Sequence, residues 1–336
     1  MQNPNSGGAS GGRAAPVDEF DAIDRLRDRF EAVARLRAPG GQVPPVGDTW
    51  IGDDAAVVGL PSGEQVLLAT DLVVAGVHVD PEFCSPEDIG YKSLMVALSD
   101  LAAMGARPEY ALVSVAAPPG TDLDRLGAGL AEAAGETNCV VVGGDLASSG
   151  VLVLSTAVFG LAERGGHPPL LRTGARAGHR LFVTGPLGRS AAGLRLLRAP
   201  GTGEGSSSTE TDLIRAHRRP AARLAEGETA RRAGASAAID VSDGLVGDVM
   251  HLAESSGVGV ALESVPVAVG ATRQEALGGG EEYELVLSTG APDDLVAAFR
   301  SADLAPPLAI GWCTDRPGRH TLDGEPLPPG GWRHRF

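Results

Sequence analysis

Aspartates recur where apolar runs give way to small residues: Asp53 and Asp54 in IGDDAAVV, Asp71 in LLATD, Asp145 in VVVGGD, and Asp240 with Asp243 in AAIDVSDG. Asp100 interrupts an apolar helical stretch in ALSDLAAMGA, where an unpaired carboxylate would be costly. Taken singly, each is most simply a turn former or a helix cap. Taken together they suggest a cluster. Two carboxylates ~5 Å apart repel by ~3 kcal/mol at an effective dielectric of about 20, so a cluster calls for bound cations. Oxygen donors with no His/Cys spacing nearby point to Mg²⁺ rather than zinc. Gly143-Gly144 ahead of Asp145 lets the backbone come close to a ligand. The chemistry expected of such a set is metal-bridged nucleotide chemistry.

The elements that must hold these carboxylates follow from hydrophobic periodicity. A helix is expected over 18–36, with Phe20, Ile23, Leu26, Phe30 and Val33 on one face and Pro39-Gly40-Gly41 ending it. Strands are expected at 55–58, 66–69, 73–79, 110–117, 139–142 and 151–159, and helices at 86–104 and 122–136. Past a boundary near 165 come strands at 180–184, 259–262 and 283–288, with helices at 189–198, 221–233 and 244–255. The expected organisation is a disordered tail at 1–17, an N-terminal domain over 18–165 and a C-terminal domain over 166–336. The low-complexity run GTGEGSSSTET at 201–211 reads as a mobile insertion.

Composition narrows the function. The chain has 336 residues, 43% apolar, 21% charged and only 4% aromatic, enough for a sizeable core in each of two domains. A net charge of −15 argues against a nucleic-acid or anionic-membrane surface. No run approaches the ~18–20 apolar residues of a membrane span, and MQNPNSGGASGGRAAP lacks an apolar signal core, so the cytoplasm is the expected compartment. Cys84, Cys139 and Cys313 are spaced for neither a disulfide framework nor a zinc site. Of 28 basic residues one is a lysine, Lys92, and it lacks the spacing of a Walker A loop. Arginines, backbone amides and metal ions must therefore neutralise any phosphate.

The ordered motifs GDDAAV at 52–57, TDLVVAGVHV at 70–79, SDLAAMGARP at 99–108, VGGDLASS at 142–149, LRTGARAG at 171–178, AIDVSDGL at 238–245 and GGGEEYEL at 278–285 resemble those of the thiamine-monophosphate kinases. These belong to the aminoimidazole-ribotide-synthetase-like ATP-binding superfamily. The resemblance runs from about residue 18 to the C-terminus and implies a two-domain α+β fold. Its N-terminal sheet is expected to pair across a homodimer, beside a C-terminal α/β sandwich. It implies transfer of the γ-phosphoryl of ATP to thiamine monophosphate, with several Mg²⁺ ions, and leaves a monovalent cation open. The implied metal ligands are Asp54, Thr70, Asp71, Asp100, Asp145, Asp240 and Asp243. The implied nucleotide contacts are Gly144, Asp145, Arg172 and Ser242, and the implied acceptor contacts are His78, Glu281 and Trp332. Two positions depart from the family pattern: Ala69 replaces a frequent hydroxyl residue, and Gly331-Trp332-Arg333-His334 alters the C-terminal signature.

No side chain is needed as nucleophile, because the acceptor is itself a phosphate and positioning and charge stabilisation dominate such transfers. Plainer readings stand beside the functional ones. His78 reads equally as a half-buried strand-end histidine, Arg172 as a solvated turn residue, Lys92 as a partner on its own helix, and Glu284 as a surface position. Two rivals remain at this stage. One is another superfamily synthetase, of aminoimidazole ribotide or of selenophosphate. The other is a non-catalytic module that binds divalent cations.

Overall fold

A computed structural model describes residues 19–37, 42–62, 64–162, 166–199 and 207–332. The expected tail at 1–17, the boundary at 165 and most of the insertion, 201–206, lie outside them. Helix α1 (Glu19–Arg37) belongs to one unit, with acidic Glu19 and Asp21 in its first turn. Residues 44–332 form a second, compact unit, which holds every candidate site residue.

That unit opens with strands β1 (Ala56–Gly59) and β2 (Gln65–Val74), helix α2 (Pro86–Ala103), strand β3 (Arg107–Ala117), helix α3 (Leu123–Thr137), and strands β4 (Val140–Ser148) and β5 (Val153–Leu161). The strands make a five-stranded sheet in the order β1-β2-β5-β3-β4, with only β3 and β4 parallel. Alternation along β5 buries Leu154, Thr156 and Val158 towards the helices and leaves the other parity half-buried. Helix α2 starts at a capping box, where Ser85 and Asp88 satisfy each other's backbone N–H, with Pro86 at the first turn. It then buries residues around its whole circumference rather than along one stripe. Its contact with α3 is close: a Cβ on Gly90 would lie 2.0 Å from the Leu126 carbonyl oxygen, so only glycine permits it.

The remainder runs β6 (Arg180–Val183), α4 (Arg189–Arg198), α5 (Ser208–Arg218), α6 (Leu224–Arg232), β7 (Ala237–Asp240), α7 (Leu245–Ser256), β8 (Gly259–Leu262), α8 (Arg273–Gly278), β9 (Leu285–Thr289), α9 (Pro292–Ser301), β10 (Leu308–Thr314), β11 (His320–Leu322) and β12 (Glu325–Pro326). A seven-stranded sheet forms in the order β12-β11-β8-β10-β6-β9-β7. One face packs Leu181, Ile239 and Val286 against Leu245, Val249 and Leu252 of α7. The other packs Phe182 and Leu287 against Leu295 and Phe299 of α9, and against Ala102 and Ala103 of α2.

Several expectations are corrected. The strands expected at 66–69 and 73–79 are one strand, β2, and the chain turns after Val74. Gly143, Gly144 and Asp145 lie within β4 and Asp71 within β2, not at strand-to-turn exits. The described end of the expected insertion is ordered, because Ser207 caps α5 through a box with Glu210. Among the described residues no helix is long and apolar enough to cross a membrane.

Candidate active site

Three carboxylates from distant parts of the sequence meet: Asp54 ahead of β1, Asp100 on α2 and Asp240 at the end of β7, each offering an oxygen within 4.8 Å of the others. The buried strand β7 delivers Asp240 and the buried helix α2 delivers Asp100. Ser99 Oγ donates to Asp240 Oδ2 at 2.6 Å. Arg172 donates to Asp54 Oδ1 through Nη2 at 2.5 Å and Nε at 3.2 Å. Asp54 Oδ2 is buried with no hydrogen-bond partner. Burial, then repulsion from Asp240, Asp71 and Asp54, pushes the Asp100 carboxyl well above the usual carboxylate range. Burial and Asp54 push Asp240 up to about 7. Burial would lower the Arg172 guanidinium, but Asp54 outweighs it and holds the group firmly charged.

Asp53, to which the sequence reading gave no role, is the residue that aims Arg172. Its two oxygens accept the Arg172 backbone N–H at 3.2 and 3.1 Å, and burial with the Asp54 charge lifts it to about 7. The paired-Asp motif was visible, but which of the two faces the cluster depends on a contact 119 residues away in sequence.

The loop 240–243 organises the rest. The Ser242 carbonyl accepts the Glu281 N–H at 2.7 Å, and the Asp243 carbonyl accepts the Trp332 N–H at 3.0 Å. Glu282 and Tyr283 both donate to the Val241 carbonyl, at 3.1 and 2.9 Å. To do so the chain takes positive φ at Glu281 (62°) and Tyr283 (52°), conformations rare for non-glycine residues. That is why the strand expected from 283 begins at Leu285. Asp248 accepts the N–H groups of Asp243 and Gly244 and so fixes the loop's exit. The Glu281 side chain reaches Lys92 Nζ at 2.7 Å, and Lys92 also donates to the His78 carbonyl at 3.2 Å. His78 is half-buried, its Nδ1 accepting the Val74 N–H at 3.1 Å, while Trp332 is 60% exposed.

Three of the plainer readings fail here. Lys92 is buried and pairs across to Glu281, not along its own helix. Glu284 is buried, held by Arg223 and by Thr184 Oγ1 at 2.6 Å. Arg172 is bound to Asp54 and is not a solvated turn residue.

One group of candidates stays apart. Asp71, Thr156, Val113 and Gly144 share one lateral row of the five-stranded sheet, so Gly144 stands three strands, ~14 Å, from Asp71. Thr70 and Asp145 belong to neighbouring rows that point to the opposite face from Asp71. Asp71, whose carboxylate accepts the Leu72 N–H at 2.5 Å, is close enough to repel Asp100 and Asp240. Gly144 has a packing reason: a Cβ there would lie 1.8 Å from the Val113 carbonyl oxygen. What comes close to that glycine is therefore the neighbouring strand.

Against known proteins, residues 52–162 match the family described as AIR synthase related protein, N-terminal domain, and residues 176–323 match its C-terminal domain. The thiamine-monophosphate kinase of Mycobacterium tuberculosis (strain H37Rv) is 36% identical over 92% of this chain and 89% of its own. That of Bacillus subtilis (strain 168) is 38% identical over 80% and 82%. The chain belongs to the thiamine-monophosphate kinase family. Among solved structures of this kinase family, AaThiL complexed with AMPPCP and TMP superposes with a TM-score of 0.80 at 31% identity, covering 94% of this chain and 97% of that one. The thiamine-monophosphate kinase of Stenotrophomonas maltophilia K279a superposes at 0.71 with 32% identity, covering 94% and 100%.

The residues present fit the divalent cation that such a kinase implies. The donors are all carboxylate oxygens, they converge, and the orphaned Asp54 Oδ2 points to an absent electropositive partner.

Proposed function

We propose that this chain phosphorylates thiamine monophosphate with ATP, giving thiamine diphosphate and ADP. The observation that carries the reading is the 240–243 loop. It supplies Asp240 to the carboxylate cluster and, through two backbone carbonyls, anchors Glu281 and Trp332, the acceptor candidates. Donor-side and acceptor-side groups are thereby held at one fixed spacing, which is what a direct transfer requires.

Asp54, Asp71, Asp100, Asp240 and Asp243 would hold Mg²⁺, which when bound screens the phosphates and stabilises charge developing on the transferred group. Arg172, permanently charged and aimed by Asp53, orients the triphosphate, and Ser242 contributes a further polar contact. The acceptor's phosphate oxygen forms the new bond to the γ-phosphorus as the bond to the ADP oxygen breaks. That oxygen is substantially deprotonated at neutral pH, so no side chain has to remove a proton. Trp332 offers its exposed ring to the flat, cationic acceptor, with Glu281 and His78 completing the contact.

The active species is a homodimer in the cytoplasm. The face of the five-stranded sheet turned away from α2 and α3 exposes Leu68, Leu72, Tyr110 and Leu112, and β4 adds Val140. A second copy is the natural cover for such a face. In that arrangement Thr70 and Asp145, which point to the open face, and Gly144, ~14 Å from Asp71, serve the site of the neighbouring copy.

A coupled ADP-release assay tests the reaction, with thiamine monophosphate, thiamine and formylglycinamidine ribotide offered in turn. Turnover with thiamine monophosphate alone is expected. Turnover with the ribotide, or nucleotide binding with no acceptor supporting turnover, overturns the reading. Trp332→Ala is expected to raise KM for thiamine monophosphate roughly 5–30-fold, the loss of ~1–2 kcal/mol of stacking and cation–π attraction. KM for ATP should stay near its starting value; equal damage to both would make Trp332 structural.

A further inference from the structure

Two of the three acceptor candidates come from opposite halves of the unit. His78 follows β2, and Glu281 precedes β9. Lys92 of α2 touches both. Its ammonium lies 2.7 Å from Glu281 Oε1 and donates to the His78 carbonyl at 3.2 Å, and its side chain is 1% exposed. The other Glu281 oxygen lies 3.4 Å from His217 Nδ1, which is itself 3.0 Å from Ser190 Oγ. Burial and the Lys92 charge push His217 down to about 4, so the ring is neutral at neutral pH and Lys92 alone of the two balances the carboxylate.

The identity of the residue is informative here. This chain uses arginine at every basic position but one, and the exception is this buried contact. A guanidinium is a planar fork suited to bidentate partners. A carbonyl and a single carboxylate oxygen converging on one point call instead for a compact ammonium with three rotatable donors. The backbone of Glu281 is already bent to positive φ and tied to Ser242, so the ammonium completes the fixing of that residue from the side-chain end.

We infer that Lys92 is a positioning residue of the acceptor site: it locks the Glu281 carboxylate to the His78 backbone, setting the spacing between the two groups before the acceptor arrives. The inference rests on the reading of Glu281 and His78 as acceptor contacts. Lys92 is engaged by Glu281 and the His78 carbonyl and not by the reacting phosphates, so its loss acts on acceptor binding rather than on turnover.

Steady-state kinetics on Lys92→Met, Glu281→Gln and the double variant test this, with each substrate varied in turn. Lys92→Met is expected to raise KM for thiamine monophosphate about tenfold or more, with kcat at saturation and KM for ATP within about threefold of wild type. In the Glu281→Gln background the same change should raise that KM less than about threefold, the remainder that acts through His78. The double variant leaves no charge unpaired, so comparison with Glu281→Gln alone decides the matter if Lys92→Met does not fold. Equal effects of Lys92→Met in both backgrounds, or a parallel rise in KM for ATP, overturn the positioning role. An unchanged acceptor KM in Glu281→Gln overturns the acceptor reading itself, and the inference with it.

Discussion

Strand β9 is buried at every residue from Leu285 to Thr289, whereas strand β4 is exposed at every residue from Val140 to Ser148. Their sequences, LVLST and VVVGGDLAS, begin equally apolar. The difference lies in what covers them. The seven-stranded sheet has α7 on one face and α6, α9 and the end of α2 on the other. Among the described residues of the second unit, helices pack against one face of the five-stranded sheet, and β4 is its edge. An apolar strand left open is a surface waiting for a partner. Candidate ligands divide along the same line: Asp240 ends a strand of the closed sheet, while Asp145 sits in the open one.

The largest effect expected from disturbing this contrast belongs to the residue between the sheets. Asp100→Asn should lower kcat by about a thousandfold or more and abolish the rise in melting temperature on adding Mg²⁺. Full activity at saturating Mg²⁺ would mean that the cluster is not the catalytic centre. The open sheet is probed next. Asp145→Asn and Asp100→Asn are each expected to be inactive, and co-refolding equal amounts should restore about a quarter of wild-type activity. Under the proposed homodimer with sites shared between copies, half of the dimers then carry one variant of each kind, with one intact site of two. A mixture that stays inactive would place Asp145 in its own chain's site.

A smaller effect sharpens the closed half. Asp240 rests near 7 in the folded protein against an ordinary value of 3.8, so between those limits the folded state holds a proton that the unfolded state has released. Its contribution to stability therefore falls as pH rises through that window. In metal-free buffer the melting temperature should drop between pH 6 and 8, and Asp240→Asn should remove roughly 1 kcal/mol of that slope, about 2–4 °C. Identical slopes in the two proteins would show that Asp240 is already ionised. The smallest effect is expected from the insertion: deleting 201–206, ahead of the Ser207 cap, should leave kcat within about twofold.

Much of this was legible in the chain itself. Helix α4 and strand β8 fall where periodicity placed them, and Asp100 on its helix and the ordered carboxylate motifs led to the family. The sites of failure have physical reasons. Periodicity sees one face of one element, so it could not see that Lys92 pairs with Glu281, and Glu284 with Arg223, across the fold. A strand was expected from 283, but the hydrogen bonds of Glu282 and Tyr283 to the Val241 carbonyl come with positive φ at Tyr283, and the strand begins at Leu285. Glycines at 143–144 suggested a ligand turn, while the actual demand comes from parallel pairing with Val113. Short elements such as β11 and β12 carry too few residues to show a period.

Helix α2 has a last consequence, for unfolding. Its Leu94, Leu98 and Leu101 are interior to the core beneath the five-stranded sheet, and its Ala102 and Ala103 are interior to the core beneath the seven-stranded one. Melting either core exposes a helix that the other needs as its own inner wall. The two sheets are therefore thermodynamically one folding unit, and heat should take them apart in a single cooperative step.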